Sequence, residues 1–196
     1  YASSTSDAIQ PGDPNDPQHT GVLRNAAGAT RVGGAEAAAI WRFSGDNKFL
    51  LTYGYARGSR TDAGTADREP MPLLTRHRVG GDLMFERPGV YLVGIEGIYY
   101  GPQSLDDNPY RTESKPYVYV MAIAKRTIGP VEIVANFENL LDVRMTEYHP
   151  LVRSSPMAGG RWTTDVWAPL EGFMANVALR YRWPHSVRGL SLRGGL

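Results

Sequence analysis

The sequence predicts an all-β protein, an antiparallel up-and-down transmembrane β-barrel segment with about seven strands of a larger barrel. Three observations carry that expectation. Apolar and polar residues alternate with a period of two along stretch after stretch, which gives each strand two unlike faces. One of the two parities excludes charge. Short turns and long polar loops also alternate along the chain, so in an up-and-down sheet the turns gather at one end and the loops at the other.

Composition agrees. The 196 residues include 22 Gly, 14 Pro, 11 Tyr and 4 Trp, a balance that favours strands and turns over helices. No run of about 18 apolar residues exists, so a membrane-spanning helix is excluded, whereas membrane strands dilute their apolar residues one in two and escape that test. With no cysteine there is neither a disulfide scaffold nor a thiolate metal site. The net charge is +1 and the basic residues are scattered, so no nucleic-acid partner is expected.

Residues 1–20 read as a polar Pro/Gly/Asp segment and are expected to be the remnant of an extracellular loop. They lack an initiator Met and a signal-like h-region, and so suggest a chain that begins inside a longer protein. The barrel segment is expected over 21–183. Its first strand is one long element over 21–43 with an irregularity near 25–28; "AEAAAIWRF" sets Ala35, Ala37, Ala39, Trp41 and Phe43 against Glu36, Ala38, Ile40 and Arg42. The second, 48–56, opposes Phe49, Leu51, Tyr53 and Tyr55 to Leu50, Thr52 and Gly54.

In the third, 76–86, His77, Val79, Gly81, Leu83 and Phe85 face away from Arg76, Arg78, Asp82 and Glu86. The fourth, 90–100, separates Tyr91, Val93, Ile95, Gly97 and Tyr99 from Glu96. A fifth strand over 116–126 has ambiguous faces. The sixth, "VEIVANFEN", sets Val131, Ile133, Ala135 and Phe137 against Glu132, Asn136 and Glu138. The seventh closes "RWTTDVWAPLEGFMANVALRYRW", with Phe173, Ala175, Val177, Leu179, Tyr181 and Trp183 on one side and Arg180 and Arg182 on the other.

Turns with Gly or Pro chemistry stand at 44–47, 87–89 and 127–130, and loops of 19, 15 and 29 residues at 57–75, 101–115 and 142–170. Trp41, Phe43, Phe49, Phe85, Tyr91, Tyr181 and Trp183 lie near the short turns or the last strand's end, while Tyr55 and Tyr99 lie toward the loops. These nine form the expected aromatic girdle. Tyr91 to Tyr99 spans roughly 20 Å of height at a tilt of about 40°, near the apolar band of an outer-membrane barrel. A soluble barrel would show the same alternation, but its bulky rings would gather mid-strand. Seven strands are an odd number where single-chain bacterial barrels have even ones, which points to a piece of a larger barrel.

The last 165 residues, roughly, resemble the carboxyl-terminal part of the barrel of TonB-dependent outer-membrane receptors. The stretches are "ATRVGGAEAAAIWRF", "LLTYGYARGS" with "PLLTRHRVGGDLMFE", "GIEGIYYGPQSLDDNPYR", "ANFENLLDVRMTEYHPLVR" and "RWTTDVWAPLEG" followed by an amphipathic strand. The resemblance implies a barrel of about 22 strands with an amino-terminal plug, in the outer membrane of a Gram-negative bacterium. It implies import of a scarce nutrient, a ferric siderophore foremost, driven through TonB. Outer-membrane lipid, the plug and remaining strands, the TonB complex and a small-molecule ligand such as a metal chelate would then be the partners. The sequence departs from the family at Phe173, where an Arg is usual after "PLEG", and in an atypical extension over 184–196.

Under that reading Glu36, Arg76, Arg78, Asp82, Glu96, Glu132 and Glu138 face the lumen and the plug. Arg60, Arg68, Tyr100, Gln103, Tyr110, Arg111, Tyr148 and Arg153 are the loop residues expected to meet an anionic or catecholic ligand. No enzyme, cofactor or metal site is expected: zinc spacing, a phosphate-cradling loop and a nucleophile elbow are lacking. His77 reads as an interfacial residue, and Asp106, Asp107, Glu147 and His149 as solvated loop charge. The alternative functions are a small complete outer-membrane barrel or pore with a structural or adhesive role, and a soluble β-barrel binding protein.

Overall fold

The computed structural model describes residues 2–5, 9–11, 23–25, 28–61, 67–106, 108–156 and 162–183. Three short strands come first: β1 (Ala2–Thr5), β2 (Ile9–Pro11) and β3 (Leu23–Asn25). The sheet proper follows as β4 (Thr30–Ser44), β5 (Asn47–Thr61), the short β6 (Arg68–Pro70), β7 (His77–Arg87), β8 (Tyr91–Tyr100), β9 (Tyr117–Ile128), β10 (Val131–Glu138) and β11 (Met174–Tyr181). Every pairing is antiparallel, in the order β1-β4-β5-β7-β8-β9-β10-β11, with β6 on the outer end of β5.

Sequential neighbours therefore pair throughout, as an up-and-down sheet requires. Among the described residues β11 pairs only with β10, and β4 beyond Gly33 only with β5, so both edges of the sheet are open. Each of the seven long strands overlaps an expected one, but β5 runs on to Thr61 and β6 forms at Arg68–Pro70 within the loop expected over 57–75, because the two pair with each other there. The single strand expected over 21–43 does not form: β3 turns away to pair with β2 in a separate ribbon, and β4 begins at Thr30. The physical reason is the partner's length. β5 ends at Thr61, two residues beyond the Arg31↔Ser59 pair, so an earlier segment has no ladder to join. Part of the segment expected as loop is instead β1, which pairs Ala2↔Gly33 through Thr5↔Thr30. Residues 184–196 lie outside the described residues.

Glycine sets the turns at one end. In the two-residue turns, Gly45 and Gly129 each take a φ of 56° at the first central position, the type II′ arrangement whose twist matches that of the strands. At 87–90 the Val90 N–H donates to the Arg87 carbonyl at 2.9 Å, with Pro88 second and Gly89 at φ 73° third, a type II turn. The long connections, 62–76, 101–116 and 139–173, all leave from the opposite end.

Directly opposed residues of an antiparallel sheet share a face. One row crosses the whole sheet as Trp41, Phe49, Leu83, Ile95, Ala122, Phe137 and Ala175, all apolar. A row of the other face runs Glu36, Gly54, Arg78, Tyr100 and Tyr117. Register also orients the ambiguous fifth strand, putting Val118, Val120, Ala122, Ala124, Arg126 and Ile128 on the apolar face. Arg126 and Arg87, which stand on either side of Tyr91 at the short-turn end, are thus two cations at the rim of a face otherwise free of charge between its aromatic rims.

That face is not a dry interior: Val93 and Ile95 are 48% exposed and Val177 69%. Packing is found elsewhere. The buried hydrophobic residues among those described are Ile98, Met145, Trp167 and Ala168, and the last three form a cluster in the loop between β10 and β11.

A polar clasp closes that loop at its base. Asn139, fully buried at a φ of 50°, donates through Nδ2 to the Val143 and Glu171 carbonyls (2.8 and 3.0 Å) and accepts the Val143 N–H at 2.9 Å. Asp142 accepts the Phe173 N–H at 2.9 Å and a two-toothed Arg144 guanidinium. Both bonds hold its carboxyl below the usual range, the Arg144 bond foremost. Gly172 has no room for a side chain, since a Cβ would sit 2.1 Å from Asp142 Oδ1. Asn139→Ala, which orphans three part-buried backbone groups and strains the left-handed backbone, is expected to remove about 2 kcal/mol of local stability. Gly172→Ala is expected to open the same clasp. Hydrogen exchange over 139–145 and 169–173 measures both effects, and unchanged protection would contradict the assignment.

Candidate functional site

The loop end of the sheet carries an aromatic cluster built from three elements. Tyr100 ends β8 and stands opposite Tyr117, which starts β9; their rings stack at 4.9 Å and 17°. The Arg78 guanidinium lies 5.1 Å from the Tyr100 ring. Above them the β10–β11 loop lowers Trp167, only 4% exposed, onto Tyr117 at 6.3 Å and Tyr148 at 5.3 Å. His149 meets Trp167 at 5.9 Å on one side and stacks on Tyr110 at 5.2 Å on the other.

Two more cations serve this cluster from the loop. Arg111 Cζ is 5.8 Å from the Trp167 ring and 5.9 Å from Tyr148, and its Nη2 donates to the Tyr148 carbonyl at 3.3 Å. Lys115 Nζ lies 5.5 Å from the Tyr148 ring. Hydrogen bonds join the two long loops into one body: Gln103 Nε2 donates to the Trp167 carbonyl at 3.4 Å, and the Asp106 N–H to Asp165 Oδ2 at 2.7 Å. Gln103 and Ser114 exchange two further bonds of 3.0 and 2.8 Å.

Of the loop residues proposed from sequence, Tyr100, Gln103, Tyr110, Arg111 and Tyr148 converge here. Gln103 is buried and structural, while Tyr110 is 45% exposed. Arg60 is engaged by Asp106 at 3.0 Å and Glu69 at 3.5 Å and braces β6 against the 101–116 loop. Arg68 turns to the apolar face and bonds Ser59 Oγ and the Ala29 carbonyl. Arg153 belongs to the segment of the Val152↔Thr163 bridge, with its N–H on the Trp162 carbonyl at 2.8 Å.

Trp167 and Lys115 are the members that sequence reasoning passed over, and His149 is one that it placed differently. An aromatic in the non-alternating "TDVWAPL" was the signal for the first. His149 is not the solvated group expected. It is 5% exposed, and neither ring nitrogen has a hydrogen-bond partner. Glu147 beside it is exposed, and Asp107 lies outside the described residues.

The charged face collects the other set. Asp82 stands directly opposite Glu96, and with Glu138, Met84, Met121 and Ile123 they line a hollow of about 240 Å³. Glu132, 6% exposed, is held by Arg180 at 3.3 Å and Arg182 at 3.5 Å. Glu36 lies opposite Gly54, Arg78 under the aromatic cluster, and Glu138 opposite Met174. Arg76 precedes β7, exposed, with its carbonyl accepting the Ala56 N–H.

The apolar face bears rings at both ends. At the turn end Trp41, Phe43 and Phe85 touch in series at 5.7 and 6.0 Å, Phe49 stands opposite Trp41, and Tyr91 opposite Arg126. Tyr181 and Trp183 meet at 5.4 Å. At the loop end Tyr55 and Tyr53 flank His77 at 5.3 and 6.2 Å, the Tyr53 hydroxyl lies 2.9 Å from His77 Nδ1, and Tyr99 is opposite Val79.

No protein-family model matches this chain, and no curated protein does. Among solved structures it is similar to the ferric-catecholate import receptor Fiu from E. coli K12, at 13% identity and a TM-score of 0.56. The fold is that of an antiparallel β-barrel segment. The likeness covers 92% of this chain but 24% of the receptor, so the chain spans about a quarter of its neighbour's length.

Within this barrel segment His149 has a testable consequence. Burial first, and the Arg111 charge second, hold its imidazole below the ordinary value of about 6.5. Tyr110, Tyr148 and Trp167 face it from the two loops and offer no carboxylate. A depressed histidine is neutral when folded, so the unfolded loop binds the extra proton and loop stability falls as pH drops below about 6.5. Hydrogen exchange over 145–151 is expected to quicken on acidification from pH 7 to pH 5, and His149→Phe to flatten that dependence.

Proposed function

We propose that the chain is the carboxyl-terminal part of the barrel of a TonB-dependent outer-membrane receptor that imports a scarce nutrient, a ferric siderophore foremost. One observation carries the reading: an apolar row that crosses every long strand in register, exposed and bounded by aromatic rims, behind which stands a charged face. Lipid tails are the solvent that such a face requires, because the inner strands satisfy their backbone groups within the ladder and neighbouring strands would complete those of β4 and β11. The open edges and the receptor-type fold argue against a small complete barrel, and the exposed apolar face argues against a soluble one.

The rest follows from position. Neighbouring strands complete the two edges, and a plug occupies the space on the side of Glu36, Asp82, Glu96 and Glu138. Energy arrives from the TonB complex through a part of the protein outside this chain. Ligand is met at the loop end by Tyr110, Arg111, Lys115 and Tyr148, where two cations over aromatic rings suit an anionic, ring-bearing chelate. The role is transport rather than catalysis.

Growth of a deletion strain on iron chelates, cobalamin and sugars tests the ligand class. Loss of growth on a ferric catecholate is expected, with binding by the restored receptor weakened about tenfold by Arg111→Gln together with Lys115→Gln. Growth lost only on a sugar or on cobalamin would overturn the siderophore assignment. Sidedness has its own test: Ile95→Arg, on the row toward lipid, is expected to cost roughly 2–4 kcal/mol and to reduce membrane assembly. Ile123→Arg on the opposite face is expected to be tolerated, and equal loss from both would refute the lipid-facing assignment.

A further inference from the structure

We propose that the apolar face, just beyond its loop-end aromatic rim, binds the phosphorylated headgroup of an outer-leaflet lipid through Arg31, Arg57 and Arg68. The inference rests on the membrane reading above and adds a site to it.

β4 and β5 continue past the aromatic rim. Arg57 lies two residues beyond Tyr55 on the parity of Leu51 and Tyr53, so it belongs to the face that meets lipid. Register pairs Arg57 with Gly33 and Arg31 with Ser59, which makes the two arginines diagonal neighbours on that face, about 7–8 Å apart at their backbones. Arg68, opposite Thr61, reaches back over the same spot to bond Ser59 Oγ and the Ala29 carbonyl. Three arginines therefore stand around Ser59 and line a recess of about 1010 Å³, to which Arg76, Glu69 and Glu113 also contribute.

Like charges this close repel unless something neutralises them. Among the described residues neither Arg31 nor Arg57 has a carboxylate partner. Glu69, the acid of β6, stands opposite Arg60 on the other face and is engaged there at 3.5 Å. Among the described residues Arg31 and Arg57 thus keep their charge without a carboxylate bound to either, and guanidinium is the cation whose fork matches phosphate oxygens.

Height selects the source of that phosphate. Two residues of tilted strand raise Arg57 roughly 5 Å above Tyr55. The headgroup layer outside the hydrocarbon is about 5–7 Å deep on each side, so Arg57 reaches it. Directly below lie Tyr55, Tyr53 and Leu51, where acyl chains would rest. An amphiphile satisfies both the cations and the apolar surface beneath them, whereas a free anion satisfies only the first.

The test uses the intact receptor reconstituted in phosphatidylethanolamine vesicles containing a minor fraction of lipid A, with bound lipid A measured on the repurified protein. Enrichment over the bulk is expected, falling roughly five-fold for each arginine lost in Arg31→Gln and in Arg31→Gln with Arg57→Gln. The Arg→Lys pair, which keeps the charge, is expected to retain most of it. Equal enrichment in the Gln pair, or equal enrichment of dephosphorylated lipid A, would overturn the proposal. Saturable binding of inorganic phosphate by the wild type without lipid enrichment would mean a soluble-anion site and would also overturn it. Protein that fails to enter phosphatidylethanolamine vesicles at all refutes the membrane reading, a result distinct from normal insertion without lipid preference.

Discussion

Everything in this molecule depends on the antiparallel ladder holding one register across seven long strands. Because opposed residues share a face, a single slipped residue would turn a whole strand inside out and bring its charges onto the apolar side. The rows through Trp41 and Ala175 on one side and through Glu36 and Tyr117 on the other hold that register, and the shift between β4 and β5 is confined to the turn, between Arg42 and Ser44. Side-chain chemistry and position relative to the wall thus become the same property. The cations on the apolar side between its aromatic rims, Arg87 and Arg126, sit at the turn end, where a long side chain can reach polar surroundings.

The ladder also relocates the core. A sheet exposed on its apolar side cannot bury that side within the chain, so close packing is displaced to the loops, around Trp167, Met145 and Ala168. Those loops act as a cap. Gln103 and the Asp106–Asp165 contact join them, while Asn139, Asp142 and Gly172 fix where the longest one leaves and rejoins the wall. The result is a rigid rim that presents Tyr110, Arg111, Lys115 and Tyr148, with an unpartnered histidine inside it. Cap and wall are built by different physics: stacking and buried polar bonds in the cap, backbone pairing in the sheet.

The wall's two ends differ for the same reason. At the turn end, glycines at positive φ allow the chain to reverse in two or three residues, and the apolar face closes on Trp41, Phe43 and Phe85. At the loop end the strands continue beyond their aromatic rim. There the apolar parity changes character, from Leu51 and Tyr53 through Tyr55 to Arg57 and, on the neighbouring strand, Arg31. A strand long enough to leave the apolar zone must meet a different solvent, and its residues change accordingly.

By itself the sequence determined the strand class, the positions of the seven long strands, the alternation of turns and loops, and the side each oriented strand shows. All of these follow from local period and turn chemistry, which neighbouring residues encode. Only the tertiary structure decided the facing of the fifth strand, since "YVYVMAIAKRTI" is apolar on both parities and its partners' register breaks the tie. It likewise decided that the strand expected over 21–43 stops short, because a ladder ends where its partner ends. The burial of His149 and the gathering of Arg31, Arg57 and Arg68 were equally illegible, for they join residues far apart in the chain and depend on contacts that no local pattern records.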